Sequence, residues 1–234
     1  MEERPRPERR DGEVLIRVEA ISVPFYETQL RCGMLPGGEP AVFGHEAVGV
    51  VVEADDEQLV GRRVAGMSYV GGVYAEFVAA SQYTLVPERV SSENAVGAAV
   101  PAAVAIALVR TAKIVDSETV LVEAASESIG GPRAAELVPK LAPRGRILAY
   151  GLLSGEFPVL TVADLISRGL TLIGFGGPDA YGKDVAAARG EALRLVADGT
   201  LTPVIDRTYA LEDVVEAHAR VESREGVGKV LLVP

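Results

Sequence analysis

The side chains suited to chemistry are few: two histidines, one cysteine and seven tyrosines in 234 residues, with no tryptophan. His45 stands in the tripeptide Gly44-His45-Glu46. A histidine titrates near neutral pH, so it can act as general acid or base, and the adjacent Glu46 can orient it or raise its pKa. The competing reading is a histidine hydrogen-bonded in a turn, with Glu46 paired elsewhere. His218 lies in "DVVEAHARVES", which reads as helix, and a structural role is the simpler account. No metal is expected. A catalytic zinc takes three protein ligands, commonly Cys and His, and nothing clusters Cys32, His45 and His218.

A second stretch raises the question of a nucleotide. "VLVEAASESIGGPRAAEL" (Val120 to Leu137) runs from β-type residues through small ones into a helix-like segment, the opening of a dinucleotide-binding fold. Such a turn needs glycines so that the backbone can approach the pyrophosphate. Here Glu127 and Ser128 occupy the turn, and a carboxylate would meet a diphosphate as a like charge. A carboxylate near a helix N-terminus is also favourable by itself, which is the simpler account of Glu127. "GFGGPDAYG" (Gly174 to Gly182) lacks the G-x-G-x-x-G spacing, and Pro178 blocks an immediate helix, so it reads as a turn.

The elements that must position these residues change type along the chain. "EVLIRVEAISV", "EAVGVVVEA", "RRVAGMSYVGGVYAEFVAAS" and "TLVPERV" read as short strands with Gly and Pro turns, the pattern of a small barrel. Gly49 inside a Val-rich strand predicts a bend or bulge, and Gly71-Gly72 predicts a turn between two strands. After Ser91 comes a long Ala-rich helix with a possible cap at Ser92. Strand and helix signals then alternate in "TVLVEAA", "PRAAELVPKL", "GRILAYG", "VADLISRG" and "LTLIGFG", which predicts a parallel sheet with helices. Two further helices and a final strand, "GKVLLVP", complete the chain.

Composition bounds the rest. Asp and Glu outnumber Lys and Arg by 33 to 23, for a net charge of −10. That disfavours nucleic acid, which needs a cationic face, and an anionic membrane surface. Cys32 is alone, so no internal disulfide forms. "MEERPRPERRDG" does not resemble a signal peptide, and the apolar run Ala95 to Val109 is too short for a bilayer span and carries Pro101. The expectation is a soluble cytoplasmic protein.

Read in order, "GEVLIRVEAISV", "FGHEAVGVVVEA", "GRRVAG", "GGVYAEFVAA", "SETVLVEAAS", "LAPRGRILAYGLLSGE", "RGLTLIGF" and "EAHARVESREGVGKVLLV" resemble the medium-chain dehydrogenase/reductases, specifically the zinc-free quinone oxidoreductase branch. The resemblance implies an α/β fold with a β-barrel part: a GroES-like barrel (1–110 and 200–234) and a truncated Rossmann-like domain (111–199). A doubly wound nucleotide domain is built from two βαβαβ halves, and Thr119 to Gly151 holds one unit only, as an internal deletion would leave it. Zinc-binding members have a cysteine where Pro24 stands. The resemblance places Gly44-His45-Glu46 in the cleft of the barrel and puts Tyr26 and Tyr69 at its border. Either tyrosine could donate a hydrogen bond to a substrate carbonyl. Phe25, Phe43 and Met67 could line an apolar pocket, although core packing also accounts for them. The strand Leu170 to Phe175 resembles the one through which members of the family pair as homodimers.

Three functional expectations follow. The first is a non-redox enzyme that isomerises, cyclises or rearranges a largely apolar small molecule, such as a polyketide-type product, with no cofactor. His45, Tyr26, Glu46 and Tyr69 would be its catalytic groups. The second is an NADPH- or NADH-dependent quinone or enone reductase with a minimised cofactor site. The third is a non-catalytic binding or partner subunit.

Overall fold

The computed structural model describes residues 2–34, 42–68, 71–116, 118–120, 136, 138–150, 160–176 and 180–234. Two compact units emerge. The first is Met1–Ala103 with Ala186–Pro234, and the second is Val104–Val185.

The first unit is built on strands β1 (Val14–Ser22), β2 (Glu46–Glu53), β3 (Arg63–Met67), β4 (Phe77–Ala80) and β5 (Gln82–Leu85). β8 (Ile205–Ala210) and β9 (Lys229–Val233) join them. The order is β5-β3-β2-β1-β9-β8, with β4 also on β1. The C-terminal strand returns to the first one through Ile21 opposite Leu232 and Ser22 opposite Leu231. Both faces of this curved sheet are covered, which explains the nearly continuous apolar runs. Successive side chains of a strand point to opposite faces. Ala47, Val51, Val64, Val230 and Leu232 enter one core cluster. Their neighbours Val48, Ala65 and Leu231 enter a second, against Ala95, Val96, Ala99 and Leu193 from helices.

The expected bulge is present. The β1–β2 register shifts between Val18 and Ala20, next to the pair Val18–Gly49. A Cβ at Gly49 would lie 2.1 Å from the Arg17 carbonyl oxygen. The two strands either side of Gly71-Gly72 form, but they do not pair with each other. β3 pairs with β2 and β5, and β4 pairs with β1.

The helices in the N-terminal part of this unit are α1 (Phe25–Arg31), α2 (Ser92–Ala98) and the start of α3 (Pro101–Ala112). The cap of α2 is Ser91 rather than Ser92: its side chain accepts the Asn94 N–H. The Ala-rich stretch divides before Pro101, whose ring cannot continue a helix. Ser92–Ala112 as a whole is long and apolar enough to cross a membrane by length and composition. Its Ala95, Val96 and Ala99 are buried in the core of the first unit.

In the second unit β6 (Arg146–Ala149) and β7 (Thr171–Gly174) pair in parallel, joined through α4 (Val162–Arg168). Thr161 and Asp164 form a reciprocal capping box at the start of α4, and Gly169 closes it in the left-handed conformation. This is one β-α-β element of the expected parallel sheet. The segments expected as "TVLVEAA" and "PRAAELVPKL" lie mostly outside the described residues, as do Glu127 and Ser128. Of "GFGGPDAYG", residues 177–179 lie outside them, and Ala180–Val185 forms a π-helical turn leading into α5 (Ala186–Ala197). The last helix, α6 (Val214–Ser223), precedes β9.

Candidate functional site

α1 begins directly after β1, with Pro24 as its extended N-cap. Its first turn carries Glu27, whose side chain is fully buried. Glu27 Oε1 lies 2.5 Å from His45 Nδ1, and Oε2 accepts the Gly44 N–H at 3.3 Å. One carboxylate therefore holds both the histidine ring and the backbone that carries it. With Nδ1–H donated to Glu27, Nε2 is the ring nitrogen left for chemistry. The His45 side chain keeps 14% of its surface exposed, so it is reachable. The Tyr26 ring stands edge-on to the imidazole, 5.3 Å between centroids. The structure thus brings His45 and Tyr26 together.

The carboxylate that orients His45 is Glu27 and not Glu46. The cause is strand alternation: His45 precedes β2 and Glu46 opens it, so their side chains diverge. Glu46 is buried, and burial pushes its carboxyl up. The charge on Glu27 adds to that rise, while Lys229 and His45 oppose it. The Ser22 hydroxyl lies beside Glu46 and also favours the charged form, but neither Ser22 Oγ nor Glu46 Oε2 completes a hydrogen bond of normal geometry. Glu46 lines a cavity of about 10 Å³ with Met67, Val96, Ala99 and Arg189, the size of a single water. Met67 thus lines this small cavity beside Glu46.

Phe25 packs its ring under the Arg224 guanidinium, 4.8 Å to the centroid. Phe43 contributes its carbonyl, which accepts the Tyr74 N–H at 2.8 Å. Tyr69 lies outside the described residues. The sequence reading named neither Glu27 nor Tyr74, and Tyr74 stands behind the site with His218. The Tyr74 hydroxyl lies 3.2 Å from His218 Nε2, with the rings edge to face at 5.8 Å. Burial first, then the charges of Glu27 and Glu46, push the Tyr74 phenol up, so it stays protonated. Burial, reinforced by the Arg31 charge, lowers the His218 pKa. The available signals were local: Glu27 in the first turn after Pro24, and Tyr74 just past the paired glycines.

Residues 106–232 match the zinc-binding dehydrogenase family, and residues 10–91 match the alcohol dehydrogenase GroES-like domain. The chain belongs to the medium-chain dehydrogenase/reductase superfamily. Within it, the chain has a GroES-like barrel and a Rossmann-like part, and it is 31% identical to the quinone oxidoreductase of Homo sapiens over 129 positions, covering 52% of this chain and 39% of that protein. It is 26% identical to the synaptic vesicle membrane protein VAT-1 homolog of Danio rerio over 320 positions, covering 97% of this chain and 65% of that protein. It is 26% identical to polyketide synthase GfsB of Streptomyces halstedii over 285 positions, covering 95% of this chain and 5% of that one. The chain thus spans less than two thirds of these curated relatives. The alignments to the VAT-1 homolog and GfsB run longer than 234 residues, so these relatives carry positions within the aligned span that this chain lacks. The quinone oxidoreductase of Thermus thermophilus, also described in complex with NADPH, shares the fold. It has a TM-score of 0.81 and 24% identity, with 99% of this chain and 95% of that chain covered.

These findings correct one expectation. A cofactor-free protein was expected from the spoiled glycine turn, but the chain matches a dehydrogenase family and shares its fold with an enzyme described with NADPH. The loss of two glycines does not by itself remove a nucleotide site, because strand ends and other backbone groups also contribute. Zinc is a different matter. Among the described residues no group of three or more His, Cys, Asp or Glu could hold a metal, Cys32 is exposed, and His45 Nδ1 is engaged by Glu27. This donor set does not fit zinc.

Proposed function

We propose that this quinone oxidoreductase-like chain is an NAD(P)H-dependent reductase of quinones or enones. The Glu27–His45 pair carries the reading: a buried carboxylate fixes one ring nitrogen and leaves the other to donate a proton. The second unit supplies a setting compatible with a dinucleotide. Ligands of parallel sheets bind at the carboxyl ends of the strands. There β6 ends at Ala149–Tyr150 and β7 at Gly174-Phe175-Gly176, and a Cβ at Gly174 or Gly176 would meet nothing within 4 Å. The nicotinamide group supplies a hydride when bound. His45 Nε2 delivers a proton to the oxygen that becomes negative as the carbonyl or enone is reduced, and Glu27 stabilises the imidazolium form that precedes that transfer. Tyr26, whose ring stands edge-on to the imidazole, would donate a hydrogen bond to the same oxygen.

The test is NADPH consumption by the purified chain with a panel of quinones and enones, alongside calorimetric titration of NADPH. Turnover above the enzyme-free rate is expected, with kcat lowered about 100-fold in His45→Gln. No NADPH binding at millimolar concentration and no turnover would reject the reading. A second reading uses the same pair to isomerise or cyclise an apolar substrate of polyketide type. The similarity to a polyketide synthase supports a substrate of that type and does not separate this reading from the reductase. Product formation with unchanged NADPH absorbance would select it. We place the protein in the cytoplasm; recovery of the native protein in a membrane or extracellular fraction would contradict that.

A further inference from the structure

We propose that His218 is a positioning residue for His45, acting through Tyr74. This rests on His45 being the proton-transferring group of the reading above. The contacts form a closed ring within the first unit. α1 holds His45 and Gly44 through Glu27. Gly44 backs directly onto Tyr74: a Cβ there would lie 2.3 Å from Tyr74 Cδ1 and 2.7 Å from the Tyr74 nitrogen. The segment leading to the histidine is pinned by the Gly72 N–H to the Val42 carbonyl at 2.7 Å and the Tyr74 N–H to the Phe43 carbonyl at 2.8 Å. The Tyr74 hydroxyl meets His218 Nε2 on α6. α6 then returns to α1 through the Arg31–Glu222 ion pair and the Arg224–Phe25 contact.

His218 is 3% exposed, and its Nδ1 has no hydrogen-bond partner among the described residues. A histidine buried at the cost of one unsatisfied nitrogen is expensive as mere filling, since a leucine would pack there without that penalty. Among the described residues its one hydrogen bond is to Tyr74, whose ring lies directly against Gly44. The groups facing His218 are Tyr74, then Glu27 and Arg31 from α1 and Glu222 from its own helix. Removing the Tyr74–His218 bond frees the ring to turn, so Gly44 and the imidazole shift relative to Glu27.

The chain has only two histidines, which makes the test direct. Full-length protein labelled with ¹⁵N-histidine, without added nucleotide, is compared with His218→Leu, Tyr74→Phe, the double variant and His218→Gln. His218→Leu and Tyr74→Phe should each move the His45 ring-nitrogen shifts and titration midpoint in the same direction. The double variant should move them no further, and His218→Gln, which keeps an acceptor near the Nε2 position, should restore most of the wild-type spectrum. In turnover, kcat should fall about tenfold with KM unchanged, the scale expected of a misplaced proton donor. His45 signals unchanged in a folded variant that has only lost thermal stability would overturn the proposal. If His218→Leu does not fold, Tyr74→Phe decides, because it keeps the ring and removes only the hydroxyl. Coupled His45 shifts in a protein that reduces nothing would keep this inference and reject the reductase reading. Turnover with uncoupled shifts would do the reverse.

Discussion

At the scale of single residues, the site turns on which glutamate faces the histidine. Glu46 is adjacent to His45 in sequence yet buried in another environment, while Glu27, eighteen positions away, holds the ring. The two carboxylates therefore differ in what protonation does to them. Burial raises Glu46 above its ordinary value of 4.5. The folded protein thus holds a proton that the unfolded chain releases, so stability is full below about pH 4.5 and falls as pH rises through the raised value. Glu46→Gln should be nearly neutral at acid pH and stabilising at pH 7, read as a difference in melting temperature across a pH series. His218 works in the opposite sense: its pKa is depressed below 6.5, so stability is lost as pH falls beneath that value. Because His218 is present in both proteins, its contribution cancels in the comparison. A Glu46→Gln variant that is less stable than wild type at pH 7 would show that Glu46 is an ionised, satisfied group.

At the scale of elements, glycines mark where backbones approach. Gly49 in β2 lies against the Arg17 carbonyl, and no side-chain rotation can relieve that contact. Gly49→Ala should destabilise by about 2–4 kcal/mol. Gly190, inside α5, has nothing within 4 Å of an added Cβ. Gly190→Ala should stabilise by about 0.5–1 kcal/mol through helix propensity. Urea denaturation of the two variants gives opposite shifts in midpoint if this account is right. Two changes of the same sign would mean that the register at the β1–β2 bulge is not what confines Gly49. The bulge was legible from a glycine inside a Val-rich strand. The pairing of β3 and β4 was not, because a glycine turn fixes a reversal of direction but not which neighbours the strands find.

At the scale of the molecule, the second unit offers an edge. β7 pairs only with β6 among the described residues, and Leu172 on it is 44% exposed. An apolar strand with an unpaired edge is a template for another strand. We expect a homodimer joined along Leu170 to Phe175, and Leu172→Lys should convert it to monomer in analytical ultracentrifugation. A wild-type chain that sediments as a monomer at about 50 μM, a concentration at which even micromolar dimers form, removes this idea. The relatives carry positions within the aligned span that this chain lacks. The cofactor-free expectation, drawn from the spoiled glycine turn and the short nucleotide domain, failed because a missing motif excludes less than a match to a dehydrogenase family across half the chain supports.

The amino-acid sequence by itself determined the class of fold. Alternation and glycine turns specify a barrel, and the later change of period specifies a parallel β-α-β part, because side-chain periodicity is a local property of each element. It also nominated His45 and Tyr26, whose types and positions do not depend on folding. Which carboxylate serves His45 was decided only in three dimensions. Glu27, Tyr74 and His218 come from a short helix, a turn and the last helix, and nothing in their local sequence records that they converge. The return of β9 to β1, with α6 packed against α1, is what places the buried histidine behind the reachable one.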